Sequence, residues 1–184
     1  MFTDRYVCEI VGIEIALLLT VTVFLWARGW QTKDFPIGIT PRRTAESMGL
    51  YLATGAACGV ASMALAVIST RLSWADVLFT SSPISYEGSI LVLLLFSIVN
   101  PIFEELIVVG YVVTLLEQKR GLAVAVIAST MIRLSYHTYQ GTVGLVYIGL
   151  MGLIFAVYYC KRRGLWPLFL AHGLMDFVGL YFRW

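Results

Sequence analysis

Six apolar segments, each close to the length needed to cross a bilayer, set what this chain can fold into. A transmembrane helix needs about 20 predominantly apolar residues, because the hydrocarbon core is about 30 Å thick and a helix rises about 1.5 Å per residue. The segments run over residues 7–27, 46–69, 88–117, 121–137, 142–160 and 165–183. The sequence therefore predicts an all-α fold, a polytopic membrane bundle of about six transmembrane helices.

The composition supports this class. Hydrophobic residues make up 59% of the 184 residues and charged residues 13%, whereas soluble domains carry about 45–50% and about 25%. We therefore expect a single integral membrane domain over residues 1–184, with no separate soluble domain. The first segment lacks a small-x-small cleavage site after its apolar core, so we interpret it as a retained membrane anchor.

The basic residues are divided unequally between the two sides of such a bundle. One set of connections carries nine and the other carries three, and Arg133 falls within the fourth segment. An excess of Lys and Arg marks the cytoplasmic side, so both termini are predicted outside, in a membrane that we take to be the bacterial cytoplasmic (inner) membrane. The nine are Arg28, Lys33, Arg42, Arg43, Lys119, Arg120, Lys161, Arg162 and Arg163; the three are Arg5, Arg71 and Arg183.

Three local features predict how the segments pack. Pro101 removes a backbone donor from the long third segment and offers a place to bend it. Gly55 and Gly59 have the GxxxG spacing that allows close approach of two helices. The connection around residues 71–88 mixes aromatic and polar residues, which suits an interfacial or re-entrant piece more than a span.

Ionisable residues inside the apolar segments are the main functional signal. Glu104 and Glu105 stand together in the third segment, although an acidic side chain at the centre of a membrane helix costs roughly 2.5–3.5 kcal/mol. The fourth and sixth segments each add a pair of polar residues at a spacing of four, which places both members on one helix face. These pairs are Arg133 with His137, and His172 with Asp176.

Six such residues on three helices exceed what interhelical ion pairing usually requires, since desolvation offsets much of the attraction in a buried pair. We therefore predict a catalytic or transport site. There is no HExxH motif, yet two histidines and a carboxylate could still hold zinc. They could equally form a metal-free site in which a carboxylate and a histidine hold a water and a second histidine stabilises an oxyanion. A serine nucleophile has no supporting signature.

These motifs resemble the CPBP family of CAAX-processing and bacteriocin-processing proteins, which includes the Ras-converting CAAX endopeptidase. The family pattern is EExxxR, then FxxxH, then HxxxN or HxxxD, on successive transmembrane helices. Here "EELIVVGY" (104–111), "RLSYH" (133–137) and "HGLMD" (172–176) resemble the three motifs. The resemblance covers about residues 36–180, and the form "RLSYHTYQG" is similar to a bacterial subgroup that cleaves C-terminal sorting signals.

Two positions depart from the family pattern. Val109 stands where the first motif has arginine, and Arg133 stands where the second has phenylalanine. We hypothesise that the cation has moved between helices, so that Arg133 reaches Glu105 or Glu104. In that case Arg133→Leu should inactivate or destabilise the protein, while Val109→Leu is tolerated.

The resemblance implies roles for the matching residues. Glu104 would be the general base, His137 its partner on the attacking water, and His172 the oxyanion donor. Asp176 would have to be protonated or act by orienting His172, because an ionised carboxylate repels an oxyanion.

Other residues would support the site. Glu105 would pair with Arg133, and Tyr136, Tyr139 and Gln140 are candidates for the cavity wall. For Tyr136 and Tyr139, an interfacial aromatic belt is the preferred interpretation.

The resulting prediction is a glutamic intramembrane endopeptidase that cuts membrane-anchored or lipidated substrates near their C-termini. Its partners would be that substrate and the lipid bilayer, with no nucleic acid and no cofactor; if zinc is bound, its ligands would be Glu104, His137 and His172. One alternative is a non-catalytic relative that binds a membrane peptide as an immunity or maturation factor. Another is a proton- or metal-coupled transporter, which the lack of internal repeats disfavours.

Overall fold

The computed structural model describes residues 2–72 and 85–182. Six helices account for most of this part of the chain, and the predicted all-α membrane bundle is confirmed. We number the elements β1 (Phe2–Thr3), α1 (Asp4–Ala27), α2 (Pro41–Arg71), β2 (Tyr86–Glu87), α3 (Ile90–Arg120), α4 (Leu122–Tyr136), α5 (Gly141–Arg162) and α6 (Trp166–Phe182). Short 3₁₀ turns lie at Thr32–Asp34 and Thr138–Gln140.

The six helices differ in length more than the apolar segments predict. Within residues 2–72 and 85–182, four helical stretches are long and apolar enough to cross a membrane: Asp4–Ala27, Pro41–Arg71, Ile90–Arg120 and Thr138–Arg162. Helices α4 and α6 have only 15 and 17 residues. Helix α4 is short because it starts after Gly121, at φ 85°, and stops where His137 leaves helical geometry, at φ −105° and ψ 10°.

Helix α3 is the central element. Half of the residues in an apolar 18-residue stretch of α3 are buried, against 6% for the corresponding stretch of α2. Helix α3 contacts α1, α4, α5 and α6. It is not a uniform α-helix, since α-helical Ile90–Glu104 and Val112–Arg120 are joined by π-helical Glu105–Tyr111. π-helical turns often occur at functional sites, and this one begins at the second glutamate of the pair.

Pro101 lies inside α3, as predicted, and its effect is on packing. Proline has no N–H, so the carbonyl of Ser97, four residues earlier, loses its usual helical donor. Gly173 of α6 lies directly against that carbonyl, because a Cβ built on Gly173 would collide with the Ser97 oxygen. The glycine therefore allows α6 to approach α3 closely, which holds His172 beside the glutamates.

The GxxxG prediction is wrong within the described part of the chain. A Cβ on Gly55 or Gly59 would meet nothing within 4 Å there. Helix α2 packs on α5 and α6 and buries Ser47, Leu50 and Thr54, which leaves the two glycines exposed. The predicted interfacial piece falls mostly on residues 73–84, which lie outside the described residues.

Two contacts fix the ends of the bundle. Strands β1 and β2 form a parallel ladder of two residues each, and the Tyr86 hydroxyl donates to Asp4 and to the Ser89 carbonyl. Burial, together with the Asp4 carboxylate, raises the pKa of Tyr86 above its ordinary value. This arrangement ties the start of α1 to the start of α3.

At the other end, the loop before α2 caps the start of α6. Leu165 donates its N–H to the Pro36 carbonyl at 3.0 Å, and Trp166 donates to Ile37 at 3.3 Å. The Arg43 guanidinium donates to the carbonyls of this loop and to that of Arg163 at 3.1–3.4 Å. The loop therefore fixes the start of the helix that carries His172.

The close approach at Gly173 makes a testable prediction. Gly173→Ala should destabilise the protein by about 1–3 kcal/mol, the usual cost of overpacking, because its Cβ meets backbone that cannot rotate away. Gly179→Ala on the same helix is the matched control, since its Cβ would meet no described atom within 4 Å. Thermal unfolding in detergent measures both, and equal melting temperatures would show that α6 does not need this contact.

Candidate active site

Arg133 joins the two glutamates of α3. Its side chain is fully buried, at 0% exposed. Nη1 donates to Glu104 Oε2 at 2.8 Å, and Nη2 donates to Glu105 Oε1 at 2.7 Å. A guanidinium presents several N–H donors in a fixed plane, so one side chain can bind two carboxylates at once. The structure thus has the ion pairs that the exchange of arginine between helices predicts, and it has them to both glutamates.

Both glutamates are buried because α3 has neighbours on several sides. Adjacent helical residues are about 100° apart around the axis, so burying both requires neighbours on more than one side of α3. Glu104 and Glu105 are 5% and 0% exposed. The π-helical stretch that starts at Glu105 disturbs the regular hydrogen bonding of α3. Ser129 of α4 donates to the Val108 carbonyl in that stretch at 3.0 Å, so this serine supports the backbone.

Val109 occupies the place of the family arginine and cannot replace its charge. It is fully buried, at 0% exposed, in an apolar cluster with Phe155 and Leu165. A cation is therefore supplied to the glutamates from α4 instead of from α3. The positive charge that is lost at position 109 is thus replaced by the one gained at position 133.

His172 is oriented by Glu105. Its Nδ1 lies 2.7 Å from Glu105 Oε1, and because Arg133 also donates to that oxygen, the carboxylate is the acceptor and Nδ1–H the donor. The other ring nitrogen, Nε2, lies 3.5 Å from Asp176 Oδ1. A histidine whose Nδ1–H is held by a carboxylate presents Nε2 in a fixed direction.

Asp176 has a further partner that the sequence reasoning missed. Asn100 Nδ2 donates to Asp176 Oδ2 at 2.8 Å, and Asn100 is 7% exposed. Asn100 lies four residues before Glu104, so the two share a face of α3. That spacing is the signal that could have identified it.

His137 lies just beyond the end of α4 and faces Glu104. Its Nδ1 is 2.9 Å from the Arg133 carbonyl, which can only accept, so Nδ1 carries the hydrogen. Nε2 is then the acceptor in a neutral ring, and it lies 3.9 Å from Glu104 Oε1. This distance is too long for a direct hydrogen bond and suits a bridging water.

The remaining predicted residues surround His137. The ring of Tyr136 lies 4.6 Å from the imidazole, and the ring of Tyr139 stacks on it at 6.0 Å. Both tyrosines are substantially exposed, at 40% and 54%. Gln140 donates to the Tyr139 hydroxyl at 3.4 Å. The tyrosines therefore contact a site residue while they face the surroundings of the bundle.

Glu14 of α1 is the second residue that the sequence reasoning missed. It is 7% exposed, and its electrostatic neighbours are Glu104, Asp176 and His172. The available signal was a carboxyl between Ile13 and Ile15, inside an apolar segment whose other acid, Glu9, is near its start. It passed unnoticed because it matches no motif.

Across the part of the chain that the structure describes, one group of acidic and histidine side chains has metal-site geometry. The ligand atoms of Glu104, Glu105 and His172 lie within 4.8 Å of one another. His137, which belongs to the predicted zinc set, is outside this group. The two carboxylates already bind the Arg133 guanidinium, and Glu105 also binds His172. These contacts occupy Glu104 Oε2, Glu105 Oε1 and His172 Nδ1, which are among the atoms that could hold a metal.

Comparison with known proteins identifies the family. A family model described as type II CAAX prenyl endopeptidase Rce1-like matches residues 86–178, which is half of the chain. The chain belongs to this family. The Rce1-like match contains every motif residue from Glu104 to Asp176, and it confirms the CAAX protease resemblance drawn from the motifs. It begins later than the predicted family core of 36–180.

No curated protein and no solved structure matches the chain. Membership in the Rce1-like family identifies the protein as a CAAX-type intramembrane endopeptidase in general terms. It also supports an integral membrane protein that acts on its substrate within the membrane.

The Arg133 contacts lead to a prediction about stability. Arg133→Leu should destabilise the protein by about 3–5 kcal/mol, because it leaves two buried carboxylates without their cation. Val109→Leu should cost less, since it adds one methylene to an apolar cluster. Unfolding in detergent measures both, and an equal loss in the two variants would contradict the compensatory exchange.

Proposed function

We propose that the protein is a metal-free intramembrane endopeptidase that hydrolyses a peptide bond near the C-terminus of membrane-anchored or lipidated substrates. The observation that carries the proposal is that the two oxygens of Glu104 have different partners. Oε2 is bound by Arg133 at 2.8 Å, while Oε1 faces His137 Nε2 at 3.9 Å. The contact of Oε2 with Arg133 fixes the position of the carboxylate, and Oε1 faces the space next to His137 where a water can bind.

Glu104 and His137 would activate the attacking water together. A water between Glu104 Oε1 and His137 Nε2 can donate one hydrogen to each, because both atoms are acceptors in the tautomer that the Arg133 carbonyl selects. Proton transfer to Glu104 then generates the nucleophile. General base catalysis of this kind contributes roughly 10²–10⁴-fold to a rate.

His172 would stabilise the oxyanion that forms when water attacks the scissile carbonyl. Its Nδ1–H is held by Glu105, so donation from Nε2 requires the doubly protonated ring. The positive charge on such an imidazolium would strengthen the interaction with a developing oxyanion. Glu105 and Arg133 would act as positioning residues in this scheme.

Asp176 would act on the orientation of His172. Asn100 donates to its Oδ2 at 2.8 Å, which leaves Oδ1 toward His172 Nε2 at 3.5 Å. The carboxyl can thereby steady the ring without touching the substrate oxygen.

The contacts of Arg133 support a metal-free reaction. The guanidinium already supplies positive charge to both glutamates, and it takes one oxygen from each. A zinc ion on Glu104, His137 and His172 would have to compete with these contacts or draw His137 inward. We therefore assign the reaction to the side chains, as a glutamic protease.

The distribution of basic residues and the apolar helices also indicate in which membrane the protein lies and how it is oriented there. We infer a bacterial cytoplasmic membrane with both termini outside, from the nine-to-three division of basic residues. The "RLSYHTYQG" resemblance supports a substrate that carries a C-terminal sorting signal. The expected partners are that membrane peptide and the bilayer, with no nucleic acid.

Cleavage by purified protein tests the proposal. Glu104→Gln should lower the rate on a panel of C-terminal membrane peptides by roughly 10²–10⁴-fold, because an amide cannot accept the proton. Glu117→Gln is the matched control, since Glu117 lies on the same helix and pairs with Arg163 away from the site. Chelator treatment should leave the wild-type rate unchanged.

Two outcomes would contradict this scheme. Activity lost on chelation and restored by zinc would make the glutamate and histidines metal ligands. Cleavage by Glu104→Gln at the wild-type rate would remove its role as base and assign the activation of water to another group.

The role of Asp176 is tested by two substitutions. Asp176→Asn should keep most of the activity, because an amide can still accept from Asn100 and the family motif resembled here allows either residue. Asp176→Leu should leave His172 without its orienting partner and lower kcat by roughly 10²–10³-fold, the cost typical of losing one oxyanion donor, here His172. Equal rates for Asp176→Leu and wild type would exclude the positioning role.

A further inference from the structure

Helix α1 contributes a carboxyl group to the site from outside the family match. The Rce1-like match begins at residue 86, so neither α1 nor Glu14 belongs to it. Most of α1 is exposed, as expected for a helix facing lipid, but Glu14 is 7% exposed. The helix therefore turns this one acidic side chain inward.

The surroundings of Glu14 are those of the active site. Its electrostatic neighbours are the carboxyls of Glu104 and Asp176 and the imidazole of His172. Its Oε2 atom is buried and has no hydrogen-bond partner among residues 2–72 and 85–182. Burying a polar atom without a hydrogen bond costs folding free energy, so an atom of this kind in a native structure calls for an explanation such as a catalytic role.

The same helix carries a carboxyl in the opposite environment. Glu9 accepts from Arg5 Nε at 3.0 Å, and its side chain is 56% exposed. Glu9 therefore has both solvent and a cation, as an ionised carboxylate requires. Glu14 is 7% exposed, its Oε2 has no hydrogen-bond partner, and it forms no ion pair among the described residues, which distinguishes it from an ordinary surface acid.

The charge balance of the site also sets Glu14 apart. Four carboxyls belong to the site or act on it electrostatically: Glu14, Glu104, Glu105 and Asp176. Opposite them are two cations, the Arg133 guanidinium and the His172 imidazolium that the proposed function requires, so the negative charges are in excess if all four carboxyls are ionised. Placing a further negative charge beside Glu104 and Asp176 without a partner is unfavourable. The neutral carboxylic acid is the form that fits this position.

We propose that Glu14 is the general acid of the reaction, which protonates the leaving nitrogen of the cleaved peptide bond. The inference rests on the proposed function, in which Glu104 is the base. Two carboxyls in opposite environments, one bound to a guanidinium and one buried without a partner, form the usual arrangement of an acid–base pair. Glu104 is therefore assigned the role of the base and Glu14 the role of the acid.

The reaction balances with these two groups. Water forms a bond to the carbonyl carbon while one of its protons passes to Glu104. The tetrahedral intermediate then collapses, the C–N bond breaks, and the proton of Glu14 passes to the departing nitrogen to give an amine. The products are a carboxylic acid and an amine, and transfer of one proton from Glu104 to Glu14 restores the starting state.

Infrared spectroscopy tests the protonation of Glu14 without any substrate. The spectrum of purified wild-type protein in detergent at neutral pH should contain a carboxylic acid C=O stretching band that Glu14→Gln removes. Glu9→Gln is the matched control on the same helix and should remove only carboxylate absorption. A wild-type minus Glu14→Gln difference spectrum without the acid band would overturn the proposal.

A comparison of amide and ester substrates tests the transfer step. A peptide and its depsipeptide analogue differ at one atom, and the ester oxygen leaves with much less need for a proton than the amide nitrogen. Glu14→Gln should slow amide cleavage by roughly 10²–10⁴-fold and ester cleavage far less. Glu14→Asp should recover part of the amide rate, because it restores an acid.

The outcomes separate this inference from the proposed function. Equal slowing of both substrates would indicate a structural role and overturn the general-acid assignment. A wild-type amide rate for Glu14→Gln, together with an inactive Glu104→Gln, would overturn it while the endopeptidase proposal stands. An active Glu104→Gln would instead contradict the proposed function itself.

Discussion

The contact on which the rest of the site depends is the bridge from the Arg133 guanidinium to Glu104 and Glu105. Two adjacent carboxylates in a membrane helix would repel each other and lose their hydration, so they need a cation that is itself buried. Arg133 is fully buried and binds one oxygen of each. The other oxygen of Glu104 thereby faces His137, and Glu105 is left to hold His172. One side chain of α4 thus organises residues on three helices.

The fold provides this contact through irregular features of otherwise regular helices. Pro101 removes a donor from α3, and Gly173 brings α6 against the carbonyl that is left. The π-helical stretch begins at Glu105, and α4 ends at Tyr136 so that His137 can turn toward Glu104. Each irregularity lies within a few residues of a predicted catalytic group. Regular helical geometry is thus interrupted at the positions where the predicted catalytic side chains have to be oriented.

Sequence patterns were sufficient to locate the six helices and to single out the polar motif residues that lie together in the structure. Both signals, the length of an apolar segment and a spacing of four residues, are local properties of the chain. They could not show which face of α1 or α2 is covered, since that depends on the other helices. Glu14 was therefore missed, although it is an acid flanked by isoleucines in a largely apolar helix, and Gly55 and Gly59 were expected at an interface that the described chain lacks. Asn100 shares a helix face with Glu104 by its spacing of four, but its bond to Asp176 depends on how α6 packs against α3.

The most direct test of the central claim is a double-mutant cycle on the free energy of unfolding, with Arg133→Leu, Glu105→Gln and the two combined, measured in mixed micelles. If the bridge organises the site, the two changes are coupled, by about 0.5–3 kcal/mol for residues in contact. The double variant should then be less destabilised than the sum of the single variants, because the amide no longer needs the cation. Additive effects would contradict the account and show that Arg133 and Glu105 stabilise the protein independently.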